Sequence, residues 1–66
     1  MSSENGSSLW RIQTVTERTG LSRAEIYRRM RLGQFPGSIK LGVRLVAWKS
    51  SDVEAWIKSL TAYVHR

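Results

Sequence analysis

The hydrophobic pattern of this 66-residue chain switches between a strand-like and a helix-like period, and each switch marks an element. Leu9-Trp10-Arg11-Ile12 reads as a short extended lead-in, one strand. Thr14-Val15-Thr16-Glu17 has capping-box spacing and predicts the start of a first helix, which Gly20 closes. Ser22 and Glu25 repeat that spacing, with Leu21 before the cap and Ile26 four residues after it as a hydrophobic staple. A second helix is therefore predicted from about Arg23 to Leu32, stopped by Gly33 and by Pro36 beyond it. The period then drops to two. Ile39 and Leu41 flank Lys40, Gly42-Val43 offers a type II′ turn with glycine first, and Arg44-Leu45-Val46-Ala47-Trp48 is rich in strand formers, so a hairpin is predicted. Ser51-Asp52-Val53-Glu54 opens a third helix, whose residues Val53, Trp56, Ile57, Leu60 and Val64 form one apolar stripe.

The order is strand, helix, turn, helix, hairpin, helix. A helix-turn-helix followed by a two-stranded wing is a small α+β winged helix, with the last helix as lid of the core. Residues 1–8 are polar and are expected to form a disordered tail ahead of one folded domain at 9–66. Trp48 and Trp56 are expected in the core, which so short a chain can build only with large side chains. Trp10, near the start, is left open.

Charge then narrows the function. Eleven Lys and Arg stand against five Asp and Glu, a net charge of +6 that attracts polyanions: nucleic acid, an anionic membrane or an acidic protein. Residues 22–33 hold Arg23, Arg28, Arg29 and Arg31 against Glu25 alone, so the surplus is concentrated on the second helix. With residues placed at about 100° intervals, Ile26, Met30 and Gly33 fall on one side of it. Ala24, Arg28 and Arg31 fall on the other, with Arg23 and Tyr27 along a flank. The apolar side must pack on the first helix against Val15, leaving the opposite side for a groove. Arg28 and Arg31 can reach phosphates or the O6/N7 edge of guanine, and small Ala24 permits close approach or contact with a thymine methyl.

Each of these residues also has a bland reading. The arginines can form an ordinary solvated face, Tyr27 can pack half-buried rather than meet a phosphate, and Arg29 can lay its stem over apolar surface. Lys40, Gly42 and Arg44 lie on or near the hairpin tip, where cations follow a phosphate backbone or enter a minor groove, or merely keep an edge soluble. Catalysis has no support. His65 stands alone near the end without metal-ligand spacing, the serines lack a base, Asp52 and Glu54 suit a helix start, and the chain has no cysteine. Neither an enzyme nor a cofactor or metal site is expected. The start lacks signal-peptide regions, and no apolar run approaches the roughly 20 residues that cross a bilayer, so a cytoplasmic, nucleoid-associated protein without membrane contact is expected.

Taken together, Arg11-Ile12-Gln13-Thr14-Val15, Thr19-Gly20-Leu21-Ser22-Arg23-Ala24-Glu25-Ile26-Tyr27-Arg28, Gly33-Gln34-Phe35-Pro36, Lys40-Leu41-Gly42, Val46-Ala47-Trp48 and Ser51-Asp52-Val53-Glu54-Ala55-Trp56-Ile57 resemble the AlpA family, small prophage and mobile-element regulators related to excisionases. The resemblance covers roughly residues 9–60. It implies a winged-helix protein that binds double-stranded DNA as a transcriptional regulator, an excisionase or both. The Ser22–Arg31 helix would enter the major groove and the Gly42–Arg44 tip would serve as wing. The expected DNA-binding residues are Ser22, Arg23, Ala24, Tyr27, Arg28, Arg31, Lys40, Gly42 and Arg44. Integrase or RNA polymerase are the implied protein partners, with weak self-association or cooperativity on DNA. Three positions depart from the family's pattern. Arg18 and Arg29 stand where apolar residues are common, Leu32 replaces a charged residue, and Val43-Arg44-Leu45 replaces a glycine and two arginines. Two readings compete: a basic module docking on an acidic protein, and a single-strand or RNA binder, which would need exposed tryptophans.

Overall fold

The computed structural model describes residues 8–63, with side chains through residue 60; residues 1–7 of the expected tail at 1–8 lie outside them, as do Val64 and His65. The chain runs β1 (Leu9–Trp10), α1 (Ile12–Thr19), α2 (Arg23–Arg31), β2 (Ile39–Lys40), β3 (Val46–Lys49) and α3 (Ser50–Tyr63). This is the winged helix-turn-helix arrangement that the hydrophobic pattern implied. The sheet gains a strand over the expected hairpin. β3 lies at its centre, antiparallel to β2 (Ile39 opposite Ala47) and to β1 (Trp10 opposite Trp48). The expected lead-in strand thus forms, over Leu9–Trp10 and not as far as Ile12, which belongs to α1. Ser50, buried at 3%, fixes it: its N–H donates to the Ser8 carbonyl at 2.7 Å, and its hydroxyl accepts from the Ser8 N–H at 2.8 Å.

The core is Val15 of α1, Ile26 of α2, Phe35 of the following connection, Trp48 of β3 and Val53 of α3. One apolar residue from each structural layer meets the others, which is how a small domain excludes water without a disulfide. Trp48 is fully buried, and its indole Nε1–H donates to the Pro36 carbonyl at 3.1 Å. Trp56 is half-buried, donates to the Gln34 carbonyl at 2.9 Å and meets Phe35 edge-on at 4.8 Å. Both indoles therefore grip the segment that leaves α2. Trp10 is half-buried beneath the Arg18 guanidinium, which lies 4.9 Å from the ring centroid. That stacking lays the Arg18 side chain over an aromatic surface while its charge stays in water.

Three expected details are corrected. α1 begins at Ile12 with Arg11 as N-cap and no side-chain cap, so Thr14 lies inside the first turn and caps nothing. Ile12 packs on the core directly after β1, and that tertiary contact overrides the local box. The Thr16 and Thr19 hydroxyls turn back instead onto the carbonyls of Gln13 and Val15. α3 begins at Ser50 rather than after a Ser51 cap, because β3 runs into it without a loop. The wing does not turn on Gly42-Val43 alone. The Leu45 carbonyl accepts from the N–H groups of Leu41 and Gly42, leaving Gly42, Val43 and Arg44 at the tip. Gly42 lacks the positive φ that a type II′ turn demands, so the longer loop replaces it. Along the α3 stripe Val53 is buried and Trp56 and Ile57 are half-buried, but Leu60 is exposed at 43%.

Candidate nucleic-acid interface

The helix-turn-helix is set by backbone chemistry at three points. Gly20 ends α1 in the left-handed region (φ 79°), its N–H donating to the Thr16 carbonyl. Leu21 enters the core, and the Ser22 hydroxyl then accepts from the Glu25 N–H at 3.1 Å, which starts α2. The far end of α2 closes with a Schellman motif at Gly33 (φ 73°): the Gln34 N–H donates to the Arg29 carbonyl at 2.7 Å and the Gly33 N–H to that of Met30 at 3.1 Å. Between these caps Ile26 is fully buried and Met30 half-buried, which fixes the rotation of the helix.

That rotation exposes Arg23, Ala24, Arg28 and Arg31 together with the Ser22 cap, as the helical wheel requires. Tyr27 sits at the flank. Its ring is half-buried and edge-on to Trp48 at 6.1 Å, so the ring has the packing role and ties α2 to the central strand of the wing sheet. Lys40, Gly42 and Arg44 are exposed on the hairpin, Lys40 in β2 and the others at its tip. Val43 at the tip is 91% exposed, and Ile39, Leu41 and Leu45 are also open to solvent. The wing is therefore apolar as well as basic.

Glu25 differs from its expected role. The capping box assigns its carboxylate to the helix start, but it faces forward along α2. Arg28 donates from Nε to Oε1 at 3.1 Å and from Nη2 to Oε2 at 2.7 Å, and Arg29 donates from Nε to Oε2 at 2.8 Å. A bidentate guanidinium outcompetes a single backbone N–H for a carboxylate. The Arg28 guanidinium, with Arg29 assisting, holds the Glu25 carboxyl down at about 2 from its ordinary 4.5, against a smaller opposing desolvation. The Arg28 guanidinium is correspondingly pushed up. Arg23 and Arg31 make no ion pair among the described residues. The signal for this network was present in the sequence as acid-to-base spacings of three and four, Glu25 to Arg28 and Arg29.

Elsewhere, Trp10, Arg18, Glu54, Ile57 and Lys58 line a shallow depression of about 360 Å³. It carries no nucleophile beside a base. Among the described residues no group of three His, Asp or Glu side chains converges as a metal site, and no helix is long and apolar enough to cross a membrane.

Comparison with known proteins adds two findings. The model of the family described as "Prophage CP4-57 regulatory protein (AlpA)" matches residues 8–61. "Uncharacterized protein ORF88" of Enterobacteria phage P4 is 45% identical over 47 residues, which cover 71% of this chain and 53% of that protein. The chain thus spans about half the length of this phage relative. The family match begins at Ser8, the first residue zipped to Ser50.

Proposed function

This chain belongs to the AlpA family of prophage regulatory proteins, and on that premise we propose that it is a sequence-specific binder of double-stranded DNA. α2 enters the major groove, Arg28 reads a base edge, and Arg23 and Arg31 hold phosphates. Ala24 keeps the approach close, and Ser22 and Tyr27 contribute from the helix start and flank. Lys40, Gly42 and Arg44 bring the wing onto the backbone or into a minor groove. The observation that carries this reading is the fixed rotation of α2, with Ile26 buried and three arginines beside a small Ala24 on the opposite face. An ordinary solvated helix mixes charges along its face and does not place its smallest residue among its longest.

Binding near an attachment site or an integrase promoter serves a transcriptional regulator and an excisionase alike, and the reading extends to both outputs on prophage or mobile-element DNA in the nucleoid. A single module of this size buries about 600–1,000 Å² on DNA. Stable occupancy would then draw on adjacent copies, or on integrase or RNA polymerase.

Fluorescence anisotropy with attachment-site and integrase-promoter duplexes, titrated beside scrambled duplex at two salt concentrations, tests this. The expected result is a preference of about 10³-fold or more with a steep salt dependence. Equal, salt-fragile binding to every duplex would overturn sequence-specific recognition and favour the acidic protein partner.

A further inference from the structure

A guanidinium has two hydrogen-bonding edges that present paired donors: a side edge, Nε with Nη2, and an end edge, Nη1 with Nη2. In this protein Glu25 occupies the side edge of Arg28 with both carboxylate oxygens. The end edge is left as a fork on a side chain that is 53% exposed. Guanine offers O6 and N7 as paired acceptors in the major groove, the complement of such a fork. Glu25 is itself held, being anchored in the first turn of α2 and bonded at Oε2 by Arg29 as well.

From this geometry we infer that Glu25 is a specificity-determining positioning residue, which braces Arg28 so that its end edge meets guanine and not a phosphate. The inference rests on α2 being the recognition helix. Charge supports the division of labour. The carboxylate cancels much of the Arg28 charge, so Arg28 gains little from the nonspecific attraction of a phosphate backbone; its value is directional. Arg23 and Arg31, without ion pairs among the described residues, keep their full charge for phosphates. The brace also removes side-chain freedom before binding, so less ordering remains to oppose the contact. A carboxylate serving only the helix would stabilise α2 without any effect on which base is preferred.

The test is binding-site selection from a randomised duplex pool with wild type, Glu25→Gln, Arg28→Lys and the double variant, each checked for folding by thermal denaturation. Wild type should select a motif containing a guanine whose preference Arg28→Lys abolishes, since lysine cannot form the fork. Glu25→Gln should lower the preference at that same base by about fivefold or more, leave the other positions intact, and add nothing to Arg28→Lys. An unchanged preference in folded Glu25→Gln, or a uniform loss at every position, would overturn the inference. A DNA-independent readout separates it from the reading beneath it. In NMR spectra of the free protein, the Nε–H signals of Arg28 and Arg29 should be resolved and slowly exchanging, and Glu25→Gln should remove both. Their absence in wild type overturns the brace alone. Their presence in a wild type that selects no motif overturns DNA recognition and the inference with it.

Discussion

Glu25 and Ser22 share one local motif but divide its work. The hydroxyl caps the helix as the spacing requires, while the carboxylate abandons the cap for two arginines one turn on. This choice has a measurable pH signature. A carboxyl depressed from 4.5 to about 2 is favoured in its ionised form by the fold. Its contribution to stability is complete above about 4.5 and fades as pH falls toward about 2. The side-chain carboxyl resonance of Glu25 should therefore titrate with a midpoint near 2, and the stability of Glu25→Gln should lose its dependence on pH across that window. A midpoint at the ordinary value of 4.5 would mean that the arginines swing free in solution. The sequence made the charges visible but not the choice, because the capping-box partner and the ion-pair partners lie within reach of the same carboxylate.

At the scale of elements, α2 is bracketed by Ser22 and Gly33, and both brackets were legible because caps are local chemistry. Gly33 can be tested without disturbing packing. It holds φ 73°, yet a Cβ built there meets nothing within 4 Å. Gly33→Ala should therefore cost only the left-handed backbone penalty, about 1–2 kcal/mol. For a domain of this size each kcal/mol corresponds to about 4–8 °C in the unfolding midpoint followed by circular dichroism. No shift would mean that the Schellman closure does not form in solution. The elements that departed from expectation did so for non-local reasons. Ile12 starts α1 early because the core lies beside it, and Ser50 starts α3 early because it is bonded to Ser8, 42 residues away. Nothing near Thr14 or Ser51 in the sequence announces either contact. The lead-in strand was legible in the apolar alternation of Leu9-Trp10, but its partner was not, because Trp48-Lys49 lies far along the sequence.

Across the whole molecule, the two basic surfaces have unequal claims on DNA. The α2 face is held by two caps, a buried Ile26 and the Tyr27–Trp48 contact. Toward its tip the wing presents Lys40 and Arg44 as cations, among exposed Ile39, Leu41, Val43 and Leu45. If the wing follows the backbone, its cations act through counterion release, which is blind to sequence. Replacing Lys40 and Arg44 together by alanine should then weaken binding to all duplexes alike. It should also flatten the slope of log affinity against log salt by about two, since each phosphate contact contributes about 0.9. Arg28→Ala should behave in the opposite way, costing about 1–3 kcal/mol on the preferred site and relaxing one base while leaving that slope nearly intact. Parallel salt titrations of the two variants on specific and scrambled duplex separate these outcomes. An unchanged slope on loss of both wing cations would take the wing off the DNA. Its exposed Ile39, Leu41, Val43 and Leu45 would then be the residues to test for a protein contact. The same substitution thus decides whether the wing belongs to the proposed DNA interface.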